Sequence, residues 1–484
     1  MRGFREEKAD TGNVGSEFSA GIPYRNLAFS GKSTYSYMDR YLLELNFGYT
    51  GSENFAAGHR FGLFPAVSAG WVLSEESFIK ERIGTYVNLF KIRASYGENG
   101  LDKGVTRFPY ISFIESSAGY TYGENGTGTV NGYRITAIGA EDLSWELSKK
   151  TNLGIDAGFF GDMLTGSIDI FKDKRSNIFM KRSQMPYSAG LQDVQPWANV
   201  GRMENQGFDG NLSFSNKIGN VNFTLRGNMT YSKTEVIDKD EALNALPYQM
   251  EKGYRLNRTF GLIALGLFKD QADVDSSPVQ YAGNVLPGDI KYKDVNGDGV
   301  INDDDQVPLG FTTVPNIVYG FASEFKWKEF DMSVRFQGAG KSDFFIGGDG
   351  VYPFNQEKIG NILEAVSNPK DRWISREISG DPSTENPNAV LPRLTYGVNS
   401  NNNKNSTFWL RDGKYLRLKE FQFGYTVPRK YTQKLFMESA RIAFIGYDLF
   451  VIAPFKWWDP EPGSSNGGFY PKDRMMAINL RVSF

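Results

Sequence analysis

Hydrophobic and polar residues alternate along many segments of this chain, including its last nine residues. In 476–484 an apolar residue stands at almost every second position, and the same holds for 41–49, 221–231 and 331–337. Successive side chains of an extended strand point to opposite faces, so each segment predicts a β-strand with one apolar and one polar face. A soluble protein would bury the apolar face in its own core, whereas a membrane barrel would turn it toward lipid.

The alternating runs, together with the turn residues that bound them, predict an all-β protein. Because the side-chain period is two, a slip of one residue would reverse every face, so the register of these strands is strongly specified. About thirteen long strands are predicted, at 25–37, 38–51, 61–74, 85–99, 144–160, 161–174, 199–216, 219–234, 314–327, 328–341, 409–427, 439–452 and 473–484.

The connections between the predicted strands alternate in length. Antiparallel strands that run up and down place every second connection at the same end, so the long loops collect at one end. Outer-membrane barrels have this arrangement, with long extracellular loops and short periplasmic turns, and the pattern therefore favours a barrel over a soluble sandwich. The short connections are 161, 217–220, 326–330 and 428–439, and the long ones are 100–143, 175–198, 235–313, 342–408 and 453–472.

The long connections are rich in Gly, Asn, Ser and Pro. The stretches SGDPSTENPNAV (379–390) and GVNSNNNKNS (397–406) are examples. This composition is typical of turns and loops in water, so we expect both stretches to be solvated.

The overall composition excludes several classes of function. A formal charge of -2 gives no electrostatic support for nucleic-acid binding, and the absence of cysteine excludes disulfides and thiolate metal sites. The chain has no apolar run of roughly 18 residues, so no transmembrane helix is expected. Residues 1–12 lack the apolar segment of a secretory signal.

Several stretches along the chain carry a family resemblance: 58–78, 143–160, 199–212, 287–310, 409–428 and the DPE motif at 459–461. They resemble the SusC-like, RagA-type TonB-dependent outer-membrane transporters of Bacteroidetes, and they follow the family's order along nearly the whole chain. The aromatic Phe484 at the end of an alternating strand also resembles the signal by which barrel-assembly machinery recognises its clients.

The resemblance implies a transmembrane antiparallel β-barrel of about 22 strands with an N-terminal plug. It also implies import of oligosaccharides or peptides, driven by the TonB complex, with a SusD-like lipoprotein over the mouth. The family's signal, plug and first barrel strands have no counterpart here, so residues 1–484 are expected to be the C-terminal part of the barrel domain. We therefore expect outer-membrane localisation, contact with lipid, and coupling to TonB through the N-terminal part.

The stretch DVNGDGVINDDD (294–305), in a predicted extracellular loop, has the spacing of a calcium-binding loop. Gly299 permits the positive φ of its sharp turn. Asp305 stands where a bidentate glutamate is usual, and an acidic turn without an ion is the alternative. The expected role of Ca²⁺ is to stiffen the loop. The predicted ligands are the side chains of Asp294, Asn296, Asp298 and Asp305, the carbonyl of Val300 and, through water, Asn302.

Trp457 and Trp458 lie in another predicted extracellular loop. Exposed tryptophans there would contact a sugar or a protein partner, whereas a membrane-interface anchor or a packed loop is the alternative. We expect no enzymatic activity, because the carboxylate pairs are only sequence neighbours and 347–350 lacks the Lys-Ser/Thr of a phosphate loop. His59 is the chain's single histidine, with no Ser/Asp partnership nearby in the sequence.

A second reading of the whole pattern remains open from the sequence. The alternating strands and the calcium-type loop also fit a soluble, calcium-dependent surface β-sandwich that binds glycans. The two readings differ in where the apolar faces lie.

Overall fold

A large antiparallel sheet dominates the structure. The computed structural model describes residues 25–104, 107–191, 193–241, 246–355, 357 and 362–484. Within these residues thirteen strands form one sheet in chain order, each beside the next long strand, as the sequence predicts. They are β1 (Asn26–Tyr37), β2 (Tyr41–Ser52), β3 (Phe61–Val72), β4 (Val87–Leu101), β7 (Glu146–Phe159), β8 (Leu164–Lys181), β9 (Trp197–Ile218), β10 (Val221–Asp238), β15 (Ile317–Trp327), β16 (Phe330–Gly340), β19 (Tyr415–Thr426), β20 (Ser439–Ile452) and β21 (Met475–Ser483).

The connections contain short strands and helices that the alternation does not predict. β5 (Phe113–Tyr122) and β6 (Gly128–Ala137) form a hairpin. The other short strands pair as β11 (Thr259–Gly261) with β14 (Val307–Leu309), β12 (Ala264–Leu267) with β13 (Ile290–Tyr292), and β17 (Asp343–Phe345) with β18 (Leu410–Asp412). The α-helices are α1 (Ser77–Ile83), α2 (Gln271–Asp275), α3 (Glu364–Ser367), α4 (Arg376–Ser379) and α5 (Arg429–Thr432).

One predicted strand, 409–427, is divided in the structure. Its first residues form β18, which pairs with β17 and does not join the large sheet. The amide of Gly413 donates to the carbonyl of Ser342 at 2.8 Å, and β19 begins two residues later. A long-range pairing partner, which the local pattern does not reveal, therefore interrupts the strand.

The apolar faces of the long strands are exposed. In β2 the fractional exposures of Leu43, Leu45 and Phe47 are 40%, 48% and 50%, while the alternate positions Leu42, Glu44 and Asn46 are partly covered. The same outward set continues in the paired β3, where Leu63 and Val67 are exposed. A β-sandwich would bury these side chains against a second sheet, so the structure contradicts the soluble alternative and fits strands that face lipid.

A charge placed on this outward face should prevent stable insertion. We expect Leu45→Arg, near the middle of β2, to cost about 2–4 kcal/mol in a bilayer, because the guanidinium would lie in hydrocarbon. Asn46→Arg places the same charge on the opposite face of the strand and serves as the matched control. Denaturant unfolding in lipid vesicles measures both variants, and an equal effect of the two would contradict the assignment of the faces.

The short connections lie mostly at one end of the sheet and the long connections at the other. At one end the strands are joined by 38–40, 73–86, 160–163, 219–220, 328–329 and 427–438. The connections at the other end are 53–60, 102–145, 182–196, 239–316, 341–414 and 453–474. Apart from 53–60, every connection in the second set is longer than any in the first, which confirms the predicted sorting.

Several residues in the tight turns have positive φ. Gly219, in the connection 219–220, has a φ of 59°, which a residue without Cβ adopts at little cost. In 160–163, Gly161 and Asp162 both have positive φ, at 67° and 63°. Glycine and aspartate are among the residues that accept this conformation, so the local sequence stops the strands at these points.

The chain divides into two compact units. The first comprises Met1–Asp209, Ser232–Ala245 and Met250–Leu256, and its small buried cluster consists of Phe55, Leu143, Trp145 and Phe179. The second comprises Gly210–Tyr231, Leu246–Gln249 and Asn257–Phe484, and it contains a larger buried cluster. None of the helices among the described residues combines the length and apolar character needed to cross a bilayer.

Candidate functional site

Parts of three long connections that belong to the second unit share one apolar core, which we call the loop core. It draws residues from 239–316, 341–414 and 453–474, and it includes Trp409 and Tyr292, both almost inaccessible to solvent. Burying aromatic and branched side chains from all three segments links them by the hydrophobic effect. The members are Leu262, Leu267, Ile290, Tyr292, Ile301, Phe344, Ile346, Val351, Val366, Trp373, Ala389, Leu391, Trp409 and Phe455.

The carboxylate of Asp289 organises the polar part of the loop core. It is 1% exposed, and Arg393 lies beside it with Nε 2.8 Å from Oδ1. The side-chain amides of Asn399 and Asn402 donate to the same Oδ1 at 3.1 and 2.8 Å. The amide N–H of Leu286 donates to Oδ2 at 2.9 Å. These donors satisfy the buried carboxylate and tie 286–289 to 393–402.

The asparagine-rich stretch 397–406 is partly buried, so the prediction that it is solvated is wrong there. Asn401, Asn402 and Ser406 are 0%, 3% and 0% exposed. Asn401 donates its amide to the carbonyl of Ile290 at 2.8 Å, and the side-chain oxygen of Asn402 accepts the N–H of Ile290 at 2.9 Å. The short amide side chains pair with backbone groups of β13, and these hydrogen bonds offset much of the cost of burying them.

The calcium-type loop is attached to the loop core at its eighth position. Ile301 is 1% exposed, and residues 279 and 300 form a parallel bridge in which Ile301 N–H donates to the carbonyl of Val279 at 2.7 Å. Gly299 has a φ of 84°, as its position in the motif predicts. The loop therefore has a fixed place in the fold.

The predicted ligands of this loop mostly accept backbone N–H groups. Asp294 accepts from Gly297 and Gly299 at 2.6 and 2.8 Å. Asp305, which is fully buried, accepts from Val295 and Asn302 at 2.7 and 2.9 Å. Asn296, Asp298 and Asn302 make similar local bonds, whereas the carbonyl of Val300 lies in an exposed residue. In the described part of the chain, no three His, Cys, Asp or Glu side chains are grouped as metal ligands.

Trp457 and Trp458 are half-buried at the border of the loop core. Their rings lie 6.2 and 4.7 Å from the ring of Phe455, measured between centroids. The indole N–H of Trp458 donates to the carbonyl of Ser464 at 3.1 Å. Both residues contribute to packing of the loop 453–474, and a role in contacting a ligand or partner stays a prediction.

The DPE motif has a clear structural role that the sequence alone does not reveal. Arg417 of β19 is 3% exposed; its Nη2 lies 2.5 Å from Oδ1 of Asp459 and its Nε lies 2.9 Å from Oε2 of Glu461. Lys419 lies 3.1 Å from Asp448 of β20, and Lys472 pairs with Glu461. Three acidic and three basic residues thus connect the loop 453–474 to β19 and β20.

On the polar face of the sheet, ion pairs pass over glycine positions where a larger residue would not fit. Arg93 makes two hydrogen bonds to Asp156, at 2.8 and 2.9 Å, and two to Asp169, at 3.0 and 2.9 Å. Gly154 lies between them in the register, and a Cβ there would stand 2.4 Å from Asp169 and 2.7 Å from Arg93. Arg441 reaches Asp331 across Gly424 in the same way. This face suits contact with water.

A family profile described as TonB dependent receptor-like, beta-barrel, matches residues 3–339. The chain belongs to this family. Its long strands, outward apolar face and sorted connections agree with that membership, and the predicted resemblance is confirmed. As a TonB-dependent receptor barrel, it is an outer-membrane protein.

This TonB-dependent receptor barrel is similar in sequence to two named relatives. It is 26% identical over 489 residues to a TonB-dependent receptor of Formosa agariphila, covering 94% of this chain and 46% of the relative. It is 23% identical to the TonB-dependent receptor SusC of Bacteroides thetaiotaomicron, covering 95% and 44%. The chain therefore spans about half the length of the curated relatives it matches.

A solved structure has the same fold. The RagAB peptide importer in its open-open state matches with a TM-score of 0.73 and 20% identity, covering 98% of this chain and 49% of that chain. The match extends beyond the residues of the family profile into β19, β20 and β21. It therefore supports the barrel fold for the whole described sheet.

Proposed function

We propose that this chain forms part of an outer-membrane importer that takes up oligosaccharides or peptides with energy from the TonB complex. The exposed apolar face of the strands, opposite a charged polar face, carries this proposal, because it suits a barrel between lipid and an aqueous interior. The loop core adds a structured surface at the end where the long connections lie. The proposal assigns the chain binding and passage of substrate, without catalysis.

We also propose that a SusD-like lipoprotein covers the long-loop end. The hairpin of β5 and β6 supports this, since Tyr120, Tyr133 and Ile114 are 76%, 80% and 67% exposed. An isolated two-stranded hairpin is marginally stable in water, and exposed tyrosines are frequent in protein interfaces. The hairpin therefore has the composition of a segment that is stabilised by a partner.

Uptake by cells tests the proposed transport. A strain that lacks the gene encoding this chain should lose import of its labelled oligosaccharide or peptide, and a strain that lacks TonB should lose the same import. Restoring the gene should recover uptake, whereas a copy carrying Leu45→Arg should not. Unchanged uptake of both substrate classes in the deleted strain would contradict the proposal.

Co-purification from detergent extracts tests the partner separately. A surface lipoprotein should elute with the wild-type protein and be lost when 113–137 is replaced by a short glycine linker. Purification of the wild-type protein without any lipoprotein would contradict the partner proposal and leave the transport test unaffected.

We propose that 294–305 binds Ca²⁺ as a structural ion. The loop carries the hard oxygens of Asp294, Asp298 and Asp305 within twelve residues, and calcium prefers such oxygens. Binding would require the carboxylates to share their oxygens between the ion and the backbone N–H groups that they accept now. The ion would stabilise a segment that already contacts the loop core through Ile301.

Calcium should raise the unfolding temperature of the purified protein. At a concentration of about a hundred times the dissociation constant, the added stability is about 2.7 kcal/mol, which corresponds to several degrees. Asp298→Ala should abolish the shift, and Glu377→Ala, an exposed acidic residue outside the loop, should retain it. Equal calcium responses in the two variants would exclude the site.

A further inference from the structure

One arginine of the loop region is buried without a carboxylate. Arg372 is 7% exposed, and its guanidinium donates to the carbonyls of Pro392 and Val366 at 2.8 and 3.0 Å. No acidic side chain of the described residues lies within ion-pair distance of it. Burial lowers the pKa of Arg372 to about 10, which still leaves the side chain charged at neutral pH.

A small cavity of about 30 Å³ lies beside this arginine. Its described lining includes Arg372, Arg393, Thr395, Asn399 and Asn403, and contains no aspartate or glutamate. A cavity of this volume holds about two water-sized groups. The two arginines are therefore the charged side chains of the described lining, which carries positive charge and no negative charge.

The two arginines of the cavity differ in their electrostatic balance. Arg393 is neutralised by Asp289, with Nε 2.8 Å from the carboxylate. Arg372 has only carbonyl dipoles, so one positive charge remains uncompensated at the cavity. An unpaired buried charge is costly, and an anion within hydrogen-bond distance would remove much of that cost.

We propose that this cavity binds one compact anion, a halide or a carboxylate group, against Arg372. A cavity of this volume admits a small ion or the end of a larger ligand. The inference concerns a site that lies outside the proposed calcium loop and does not depend on the transported substrate. Because Arg372 donates to the carbonyl of Val366, a member of the loop core, a bound anion would stabilise that core.

The purified wild-type protein in detergent provides the direct test, at constant ionic strength and constant pH. Replacing methanesulfonate, which has no carboxylate end, with chloride or formate should raise the unfolding temperature by about 2–4 °C at saturation. Arg372→Met should lose this response and Arg372→Lys should keep part of it. Arg411→Met is the matched control, because Arg411 also donates to carbonyls, those of Phe408 and Leu410, and lies outside the cavity lining.

Two further measurements separate the sources of the anion. A short peptide with a free carboxyl end should match the effect of formate if the cavity takes the end of a ligand, and its amidated form should have no effect. If neither peptide changes the unfolding temperature but chloride raises it, the ligand is a free ion. Crystals grown in bromide should show anomalous scattering next to Arg372. Identical unfolding temperatures in chloride, formate and methanesulfonate, with no bromide peak beside Arg372, would overturn the proposal.

Discussion

Arg417→Met should destabilise the protein by about 3–5 kcal/mol. The methionine fills a similar volume but leaves Asp459 and Glu461 without the buried cation that faces them, and removal of one partner from a buried charge cluster carries a cost of this size. Lys419 and Lys472 remain near Glu461, but neither lies close enough to Asp459 to replace the guanidinium. Urea unfolding in detergent micelles measures the loss.

The matched control for this variant is Arg335→Ala in the same sheet. Arg335 pairs with Glu420 at 3.2 Å, but its side chain is 59% exposed, so its loss should cost less than about 1 kcal/mol. Equal destabilisation by the two substitutions would show that burial of the Arg417 cluster contributes nothing.

Asp289→Ala should have an effect of similar size, about 3–5 kcal/mol, and it should be confined to the loop core. Without the carboxylate, the guanidinium of Arg393 and the amides of Asn399 and Asn402 lose their common acceptor in a buried site. We expect the segments 286–289 and 393–402 to exchange their amide hydrogens faster, while β2 and β3 keep their protection.

Lys414→Ala is the comparison for this second substitution. Lys414 pairs with Asp412 at 2.7 Å with 60% of its side chain exposed, and screening by water leaves such a pair little net effect. Hydrogen exchange that is unchanged in Asp289→Ala, or faster throughout the sheet, would contradict a hub role for Asp289.

The sequence predicted the large sheet because its information is local. Alternation in segments such as 41–49 sets which side chains share a face, and residues such as Gly161 and Gly219 set where the chain turns. The structure confirms the long strands, and their outward apolar faces settle the choice between sandwich and barrel that alternation alone left open.

The loop core could not be predicted in the same way, because its contacts join residues far apart in the chain. Asn402 bonds to Asp289 and Ile290, more than 100 residues earlier, and nothing near 397–406 shows that these partners exist. Composition therefore suggested a solvated loop. The split of 409–427 into β18 and β19 has the same origin, since β18 pairs with 343–345.

The candidate site was predicted in part. The motif 294–305 showed the position of its glycine turn from spacing alone, whereas the DPE motif was recognisable only as a family likeness. Its physical reason, the cluster around Arg417, needs the loop 453–474 to fold back on β19. Arg372 gave no interpretable signal, because burial without an acidic partner cannot be read from neighbouring residues.

A shared interior for 239–316, 341–414 and 453–474 restricts how these segments can move. Because the segments are packed into one core, they cannot move independently. Any opening of the long-loop end must move them together as a single lid, with hinges where they leave the strands. Proteases should accordingly cut this lid rarely, and a cross-link between any two of its segments should leave the motion of the whole unaffected.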